Sequence, residues 1–174
     1  TKDGYEQILS AFSNHEADIL IGTQMIVKGH DFPGVTLVGV LAADLSLYIS
    51  DYRASERTFQ LLTQAAGRAG RGDIPGNVII QTYDPDHYSI TTAKEQNYEA
   101  FYGQEIEYRK MMRYPPVWNM LYILCASKNE AEASEAAVAL MGKIDQIVRE
   151  NSEKIFPIGP SDAPVAKISD VYRK

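Results

Sequence analysis

The sequence contains a single cysteine, Cys125, among its 174 residues. One cysteine excludes an intrachain disulfide and a zinc site built from several cysteines, and it fits a reducing cytoplasm. The sequence also lacks an apolar run long enough to cross a membrane, and it lacks a signal peptide. We therefore expect a cytoplasmic protein with no membrane partner, and no metal site within these residues.

Basic residues are also scarce, with 17 Lys and Arg against 23 Asp and Glu, which gives a net charge of −6. This balance argues against a free-standing basic nucleic-acid binder, although it leaves room for a few local phosphate contacts. The sequence starts at Thr1 and stops at Lys174 within an alternating, strand-like stretch. We therefore expect it to be a piece of a longer protein.

Short apolar runs alternate with helical patterns in the first half of the chain. Apolar residues at helical spacing predict a helix that ends near Asn14, and a second helix is predicted over residues 55–70. Strand-like runs occupy residues 17–23, 35–44 and 78–83. Short apolar strands that alternate with helices predict an α/β fold whose parallel sheet is covered on both faces.

The pattern changes after Tyr83, where a mostly helical stretch leads to the double proline Pro115-Pro116. Beyond it the sequence predicts a strand, a helix from residue 130, and an extended, proline-containing return, which is a β-α-β arrangement with the start of another strand. We interpret the chain as two domains, residues 1–110 and residues 111–174.

The stretch QAAGRAGR, residues 64–71, places two glycines and two arginines where the helical pattern continues. At about 100° per residue, one face of this helix is apolar and the other carries an amide and two guanidiniums, from Gln64, Arg68 and Arg71. Guanidiniums offer planar forks to phosphate oxygens, so the pattern suits an anion held from two sides. A structural alternative is a solvated helix end whose arginines are favoured by the helix dipole.

A second polar motif, GTQMIVKGHDFPG at residues 22–34, follows the first predicted strand. Loops at the carboxyl ends of parallel strands are common ligand sites. Thr23 offers a hydroxyl and an N–H to a phosphate, Gly29 permits a close backbone approach, and Asp31 can accept from a hydroxyl such as that of ribose. Strand-end and turn caps are the structural alternatives for Thr23 and Asp31, and His30 is expected to be a loop residue.

Together these two motifs resemble motifs V and VI of superfamily 2 helicases. Further stretches, KGHDFP, QTYDPDHY, RYPP and GPSDAPVAKI, are similar to the primosomal replication-restart DNA helicases of bacteria, and the resemblance runs along essentially the whole chain. It implies a second RecA-like helicase lobe, with a three-layer arrangement around a parallel sheet, followed by a truncated α+β carboxyl-terminal domain.

The resemblance also implies roles for individual residues. Arg71 matches the arginine finger that acts on the γ-phosphate of ATP, and Arg68 matches its companion on the phosphates. Gln64, Gly29 and Asp31 match positions that bind or sense the nucleotide. Thr23 matches a contact to the phosphates of the DNA strand along which the enzyme translocates.

Some parts of such a helicase are absent from the sequence. It has no GxxxxGK[ST] loop and no DExH box, so the first lobe, which holds most of ATP and Mg²⁺, is missing. The zinc-binding insertion of the family is also outside these residues. We therefore expect the isolated chain to be inactive. The resemblance implies that it is part of an ATP-dependent DNA helicase that restarts stalled replication forks and loads the primosome.

The resemblance implies forked and single-stranded DNA, single-strand-binding protein and primosome proteins as partners. Lys167 and Arg173, in the extended carboxyl-terminal stretch, are candidate DNA contacts, with an ordinary solvated strand face as the alternative. Two other functions remain open from the residues: another superfamily 2 translocase, or a non-catalytic DNA-binding or partner-binding module.

Overall fold

The computed structural model describes residues 2–27, 32–70, 75–151 and 154–174. They form two compact units, residues 1–118 and residues 119–174, which are described separately. The domain limits predicted from the sequence, 1–110 and 111–174, stay predictions, because a division by compactness does not test them. Within the described ranges, no helix is both long enough and apolar enough to cross a bilayer.

The first unit contains four α-helices, two 3₁₀ helices and two strands in its described residues. The α-helices are α1 (Lys2–Ser13), α2 (Ala54–Ala66), α3 (Tyr88–Lys94) and α4 (Tyr98–Met112). The 3₁₀ helices are Gln24–Val27 and Ala43–Tyr48, and the strands are β1 (Leu37–Val40) and β2 (Asn77–Ile80). The predicted helices are therefore present, and two of the three predicted strands form in shortened versions.

Strands β1 and β2 pair in parallel, with Leu37 opposite Asn77 and Val40 opposite Ile80. Side chains alternate between the two faces, and Val40 and Ile80 pack on the hydrophobic core while Ile79 points to the other face and is 60% exposed. The α/β class and the parallel pairing are confirmed. Helices cover one face of this pair in the described residues, so the three-layer arrangement is not shown.

The prediction of a strand over residues 17–23 is wrong. These residues have no assigned strand, and Ile19 and Ile21 are 76% and 88% exposed. A strand forms only where a neighbour accepts and donates its backbone hydrogen bonds. None of the described residues pairs with this run, so its apolar character alone does not make it a strand.

Helix α2 is central to the core of the first unit. Phe59 and Leu62 are 5% and 2% exposed, and the ring of Phe59 stacks on that of Phe101 from α4 at 4.3 Å between centroids. Ile90 and Ala93 of α3 belong to the same cluster. Complete burial of one large apolar side chain stabilises a protein by about 1.5–3 kcal/mol. The burial of these side chains therefore fixes α2 between the strands and the two later helices.

A buried guanidinium fixes the first turn of α2. Arg109, 8% exposed, donates from Nη2 to Glu56 Oε2 at 2.7 Å, from Nε to Glu105 Oε1 at 2.7 Å, and from Nη1 to the Pro115 carbonyl at 3.0 Å. Burial alone would lower the pKa of Arg109, but its bonds to the two carboxylates raise it. A buried charge stays ionised when it is paired in this way.

Glu105 is shared with Tyr88 of α3, whose hydroxyl donates to Oε2 at 2.6 Å. Burial and this bond raise the pKa of Tyr88 well above its usual range. One carboxylate oxygen of Glu105 thus binds Tyr88 of α3 and the other binds Arg109. Because Arg109 also binds Glu56, this network connects α3, α4 and α2.

The described residues of the second unit form three short strands and one long helix: β3 (Ala126–Ser127), α5 (Glu130–Asn151), β4 (Lys167–Ile168) and β5 (Val171–Arg173). The strands form an antiparallel sheet in the order β3-β5-β4. The predicted β-α-β order with a further strand is confirmed, but the predicted strand at 117–127 shrinks to two residues. Ala133 and Ala137 are the buried residues of α5, while Val138 is 61% exposed.

Helix α3 begins with an unusual cap. The Nδ1 atom of His87 accepts a hydrogen bond from the Ser89 N–H at 3.2 Å, and its ring stacks on Tyr88. Burial lowers the pKa of His87, although Asp84 and Glu105 act in the opposite direction. A protonated Nδ1 cannot accept, so the cap requires the neutral imidazole.

The His87 cap predicts a pH-dependent stability of the 174-residue chain. Because the folded pKa is lowered, the unfolded chain binds more protons below about pH 6.5, so stability is full above that pH and is lost as the pH falls. The variant His87→Asn keeps an N-cap but cannot titrate there. Urea unfolding from pH 7.5 to 5.5 should show a smaller loss in this variant than in the unmodified chain, and equal losses would contradict the assignment.

Two glycines bring the chain after α2 against the start of β2. Gly70 has φ +69°, and a Cβ atom added there would lie 2.5 Å from the Gly76 nitrogen. A Cβ atom at Gly76 would overlap the Gly70 nitrogen and would lie 2.7 Å from the Ala69 Cβ. Backbone lies against backbone here, and neither position has room for a side chain.

We expect Gly76→Ala to destabilise the chain by about 1–3 kcal/mol, the usual cost of overpacking, because backbone has to move. The matched control is Gly103→Ala in α4, where an added Cβ meets nothing within 4 Å. That change should be neutral or should stabilise the helix by about 0.5–1 kcal/mol. Urea unfolding of both variants measures the difference, and equal midpoints would show that the contact of the two glycines is not tight.

Candidate nucleotide and DNA sites

The end of α2 differs from the helical face predicted by the sequence. The helix ends at Ala66, with Gly67 as its C-cap, and the N–H groups of Arg68 and Ala69 bond three residues back at 3.0 and 3.3 Å. The prediction that residues 67–70 continue the helix is therefore wrong. Regular helical geometry ends at Gly67, so Arg68 lies on a tight turn that finishes at Gly70, whose φ is positive.

This turn returns to the beginning of β1. The Gly70 N–H donates to the Val35 carbonyl at 3.1 Å, and the Asn77 N–H donates to the Thr36 carbonyl at 2.8 Å. Val35 directly follows the GTQMIVKGHDFPG motif, so the structure brings the end of this motif within hydrogen-bonding distance of the GRAGR motif. Backbone geometry accounts for both glycines of this turn, since Gly67 is the C-cap of α2 and Gly70 has a positive φ.

Gln64 and Arg68 occupy the last turn of α2 and the turn that follows it. Gln64 is exposed and Arg68 is half-buried, while Arg71 lies outside the described residues. The carboxyl end of a helix carries partial negative charge, which disfavours an anion. A phosphate at this place would therefore depend on the guanidiniums and the amide, and would gain nothing from the helix dipole.

The GTQMIVKGHDFPG motif is described only in part. Thr23 is exposed, and its carbonyl accepts from the Ile26 N–H at 3.1 Å at the start of the first 3₁₀ helix, which contacts α2. Gly29, His30 and Asp31 lie outside the described residues. Phe32, just after them, packs edge-on against Phe12 of α1 at 5.0 Å. The structure therefore places Thr23 near the helix of the second motif and leaves the roles of Gly29 and Asp31 as predictions.

A buried carboxylate joins the carboxyl ends of the two strands. Asp44 is 1% exposed and its Oδ2 accepts from the Tyr83 N–H at 3.3 Å, while the Ala43 N–H bonds to the Gln81 carbonyl at 2.9 Å. The sequence predicted Asp44 only as the end of the second apolar run. A carboxylate directly after an apolar run could have marked it, because an acidic side chain is seldom buried without a partner.

The two predicted DNA contacts of the second unit are on β4 and β5. Lys167 Nζ pairs with Asp170 at 3.1 Å and lies 4.7 Å from the centre of the Tyr172 ring, and the bond to Asp170 raises its pKa. Arg173 is half-buried and bonded through its backbone to Ala163 and Ala166. The structure therefore puts both basic residues on one small sheet, but Lys167 already has a carboxylate partner.

Lys174, the third basic residue of this carboxyl-terminal stretch, is also paired. Its Nζ lies 2.5 Å from Asp162 and 3.1 Å from Glu130, and these bonds raise its pKa. A phosphate that approaches this sheet has to compete with carboxylates for the ammonium groups. The electrostatic attraction between this sheet and a DNA phosphate is therefore weaker than the number of its basic residues suggests.

Comparison with known proteins places these motifs in context. Residues 1–73 match the family described as the helicase conserved C-terminal domain. The replication restart protein PriA of Bacillus subtilis is 50% identical over 173 residues, which is 99% of this chain and 21% of that protein. PriA of Synechocystis is 43% identical over 99% of this chain and 20% of its own length.

A third relative, PriA of Chlamydia pneumoniae, is 42% identical over 99% of this chain and 23% of its own length. The chain thus spans about a fifth of the length of the curated relatives it matches. Identity continues well past residue 73, where the helicase match stops. The resemblance is confirmed: over nearly its whole length, this chain is similar to part of the replication restart proteins.

Proposed function

We propose that this chain is part of an ATP-dependent DNA helicase that restarts stalled replication forks and loads the primosome. In this proposal it supplies the second RecA-like lobe, with one side of the ATP site and part of the DNA path, in the cytoplasm. The observation that carries it is the 50% identity to a replication restart protein over 99% of the chain. The hydrogen bond from Gly70 to Val35, which joins the two motifs, supports a common site.

The two other functions have less support. A different superfamily 2 translocase would share the match over residues 1–73, but the similarity to restart proteins extends over the second unit as well. A non-catalytic binding module does not need the amide and the two arginines of the QAAGRAGR stretch, residues 64–71. Both alternatives remain outcomes of the experiments below.

The residues at the end of α2 fit a triphosphate by their chemistry. Gln64 offers an amide and Arg68 a guanidinium on adjoining turns, and Arg71 follows Gly70 directly in the sequence. Phosphoryl transfer depends on positioning and on stabilising charge in the transition state. We assign Arg71 the arginine-finger role and Arg68 and Gln64 the binding of the nucleotide, together with Gly29 and Asp31.

Mg²⁺ and the loop that cradles the phosphates are assigned to another part of the longer protein, since the sequence has no GxxxxGK[ST] motif. Bound there, Mg²⁺ would neutralise charge on the β- and γ-phosphates. Zinc is likewise assigned elsewhere, because one cysteine cannot form a cysteine-based site. Single-strand-binding protein and primosome proteins are proposed as partners of the longer protein.

The arginine-finger role predicts the effect of Arg71→Ala in the longer protein. ATP turnover should fall by about 10³–10⁵, because the guanidinium acts mainly on the transition state. KM and the binding of forked DNA should change little. Steady-state ATPase kinetics and fork binding by fluorescence anisotropy measure these effects.

The matched control for that experiment is Arg149→Ala, at an exposed position of α5, which should hydrolyse ATP normally. Arg71→Lys should restore little activity, because an ammonium lacks the planar fork. The isolated 174-residue chain should not hydrolyse ATP. An unchanged kcat with a raised KM in Arg71→Ala would show that Arg71 only binds the substrate.

The 174-residue chain should bind single-stranded DNA weakly and in a salt-dependent way, through a few phosphate contacts of the second unit. We expect a shallow slope of log affinity against log salt, about 0.7 per phosphate contact, and weaker binding after Lys167→Ala or Arg173→Ala. Asp170→Asn should strengthen binding, because it releases the Lys167 ammonium from its partner. Lys143→Ala on α5 is the control. Salt-independent anisotropy titrations, or titrations that none of these changes affects, would rule out this surface.

A further inference from the structure

Arg109 joins three parts of the first unit, one of which, the start of α2, is 53 residues away in sequence. Its acceptors belong to α4 itself (Glu105), to the first turn of α2 (Glu56), and to the segment after α4 (Pro115), as the bonds of 2.7, 2.7 and 3.0 Å show. These bonds use Nε and both terminal nitrogens of the guanidinium. The planar fork of arginine can satisfy several acceptors at once, which an ammonium cannot do in the same geometry.

An aromatic side chain reinforces the same junction. The Arg109 guanidinium lies 5.4 Å from the centre of the Tyr52 ring, and that ring contacts the ring of Tyr114 at 5.5 Å between centroids. The Tyr114 N–H also bonds to the Arg109 carbonyl at 2.7 Å. Tyr52 lies just before α2, so residues 113–118 are tied to the entrance of α2 by ring contacts as well as by charge.

The other end of α2 carries the groups assigned to ATP. Gln64 lies in its last turn, and the Arg68 turn follows. A helix of 13 residues is about 20 Å long, so one continuous hydrogen-bonded element joins Gln64 to Glu56. A displacement at the Gln64 end would pass along this element to Glu56, and through the bonds of Arg109 to the Pro115 carbonyl. Residues 113–118 lead directly into the second unit, which begins at Asn119.

We propose that Arg109 is a positioning residue that couples α2 to residues 113–118, and that this coupling links ATP hydrolysis to the unwinding of DNA. The inference rests on the proposed function, in which α2 contacts ATP and the second unit contacts DNA. Of the two carboxylates that bind Arg109, Glu56 can be changed with less damage to the fold, because its side chain is 37% exposed while that of Glu105 is 6% exposed.

The test uses Glu56→Gln in the longer protein. This change keeps the shape of the side chain but removes its charge, so the ion pair with Arg109 is lost while the amide oxygen can still accept from the guanidinium. DNA-stimulated ATP hydrolysis should stay close to that of the unmodified protein. The number of base pairs of a labelled fork unwound per ATP should fall by up to about tenfold, because a loss of about 1.4 kcal/mol changes the ratio of attached to detached α2 by that factor. Arg109→Lys should behave in the same way, since it removes the fork that reaches all three acceptors.

The control is Glu107→Gln, on the same α4 helix, where the carboxylate makes only a long 3.9 Å pair with exposed Lys110. It should leave both quantities unchanged. A lower melting temperature with unchanged unwinding per ATP in Glu56→Gln and Arg109→Lys would overturn the coupling role, and so would a proportional fall in hydrolysis and unwinding. If the unmodified protein shows no DNA-stimulated hydrolysis, the proposed function itself fails and the coupling role fails with it.

Discussion

The ion pair between Arg109 and Glu56 holds one end of the helix on which most of the structure depends. Without it, a guanidinium that is 8% exposed would lose a charged acceptor, which is costly for a buried charge. The opposite end of α2 is fixed differently, by the bond from Gly70 to Val35 and by the contact between Gly70 and Gly76. Charge thus fixes one end of α2 and backbone fit fixes the other.

The contacts at the two ends of α2 explain how the proposed nucleotide-binding residues can be fixed in position and still be exposed. The apolar side of α2, with Phe59 and Leu62, is covered by the strands, α3 and α4. Gln64 stays at the surface, on the part of the helix that the core leaves uncovered. A helix whose position is set at both ends can present an amide and a guanidinium to a ligand without further ordering, which reduces the entropic cost of binding.

The sequence predicted the features that depend on local patterns. Periodicity identified α1, α2 and α5, and apolar runs identified β1 and β2, because each of these depends on neighbouring residues. It failed at residues 17–23, because a strand also needs a partner, and at residues 67–70, where Gly70 adopts a positive φ that spacing does not reveal. Gln64, Arg68 and Thr23 were found as site candidates through motifs. Arg109 was missed, because its partner Glu56 lies 53 residues away and no local pattern marks the pair.

In the proposed function, α2 and the turn after it form one side of an ATP site. A structure of the longer protein with Mg²⁺, ADP and aluminium fluoride, which mimics the transferring phosphoryl group, tests this arrangement. We expect the guanidiniums of Arg71 and Arg68 within about 3 Å of the fluoride or phosphate oxygens, with Gln64 beside them. A mimic bound by other groups, with Arg68 and Arg71 directed away from it, would show that α2 does not contribute to the ATP site.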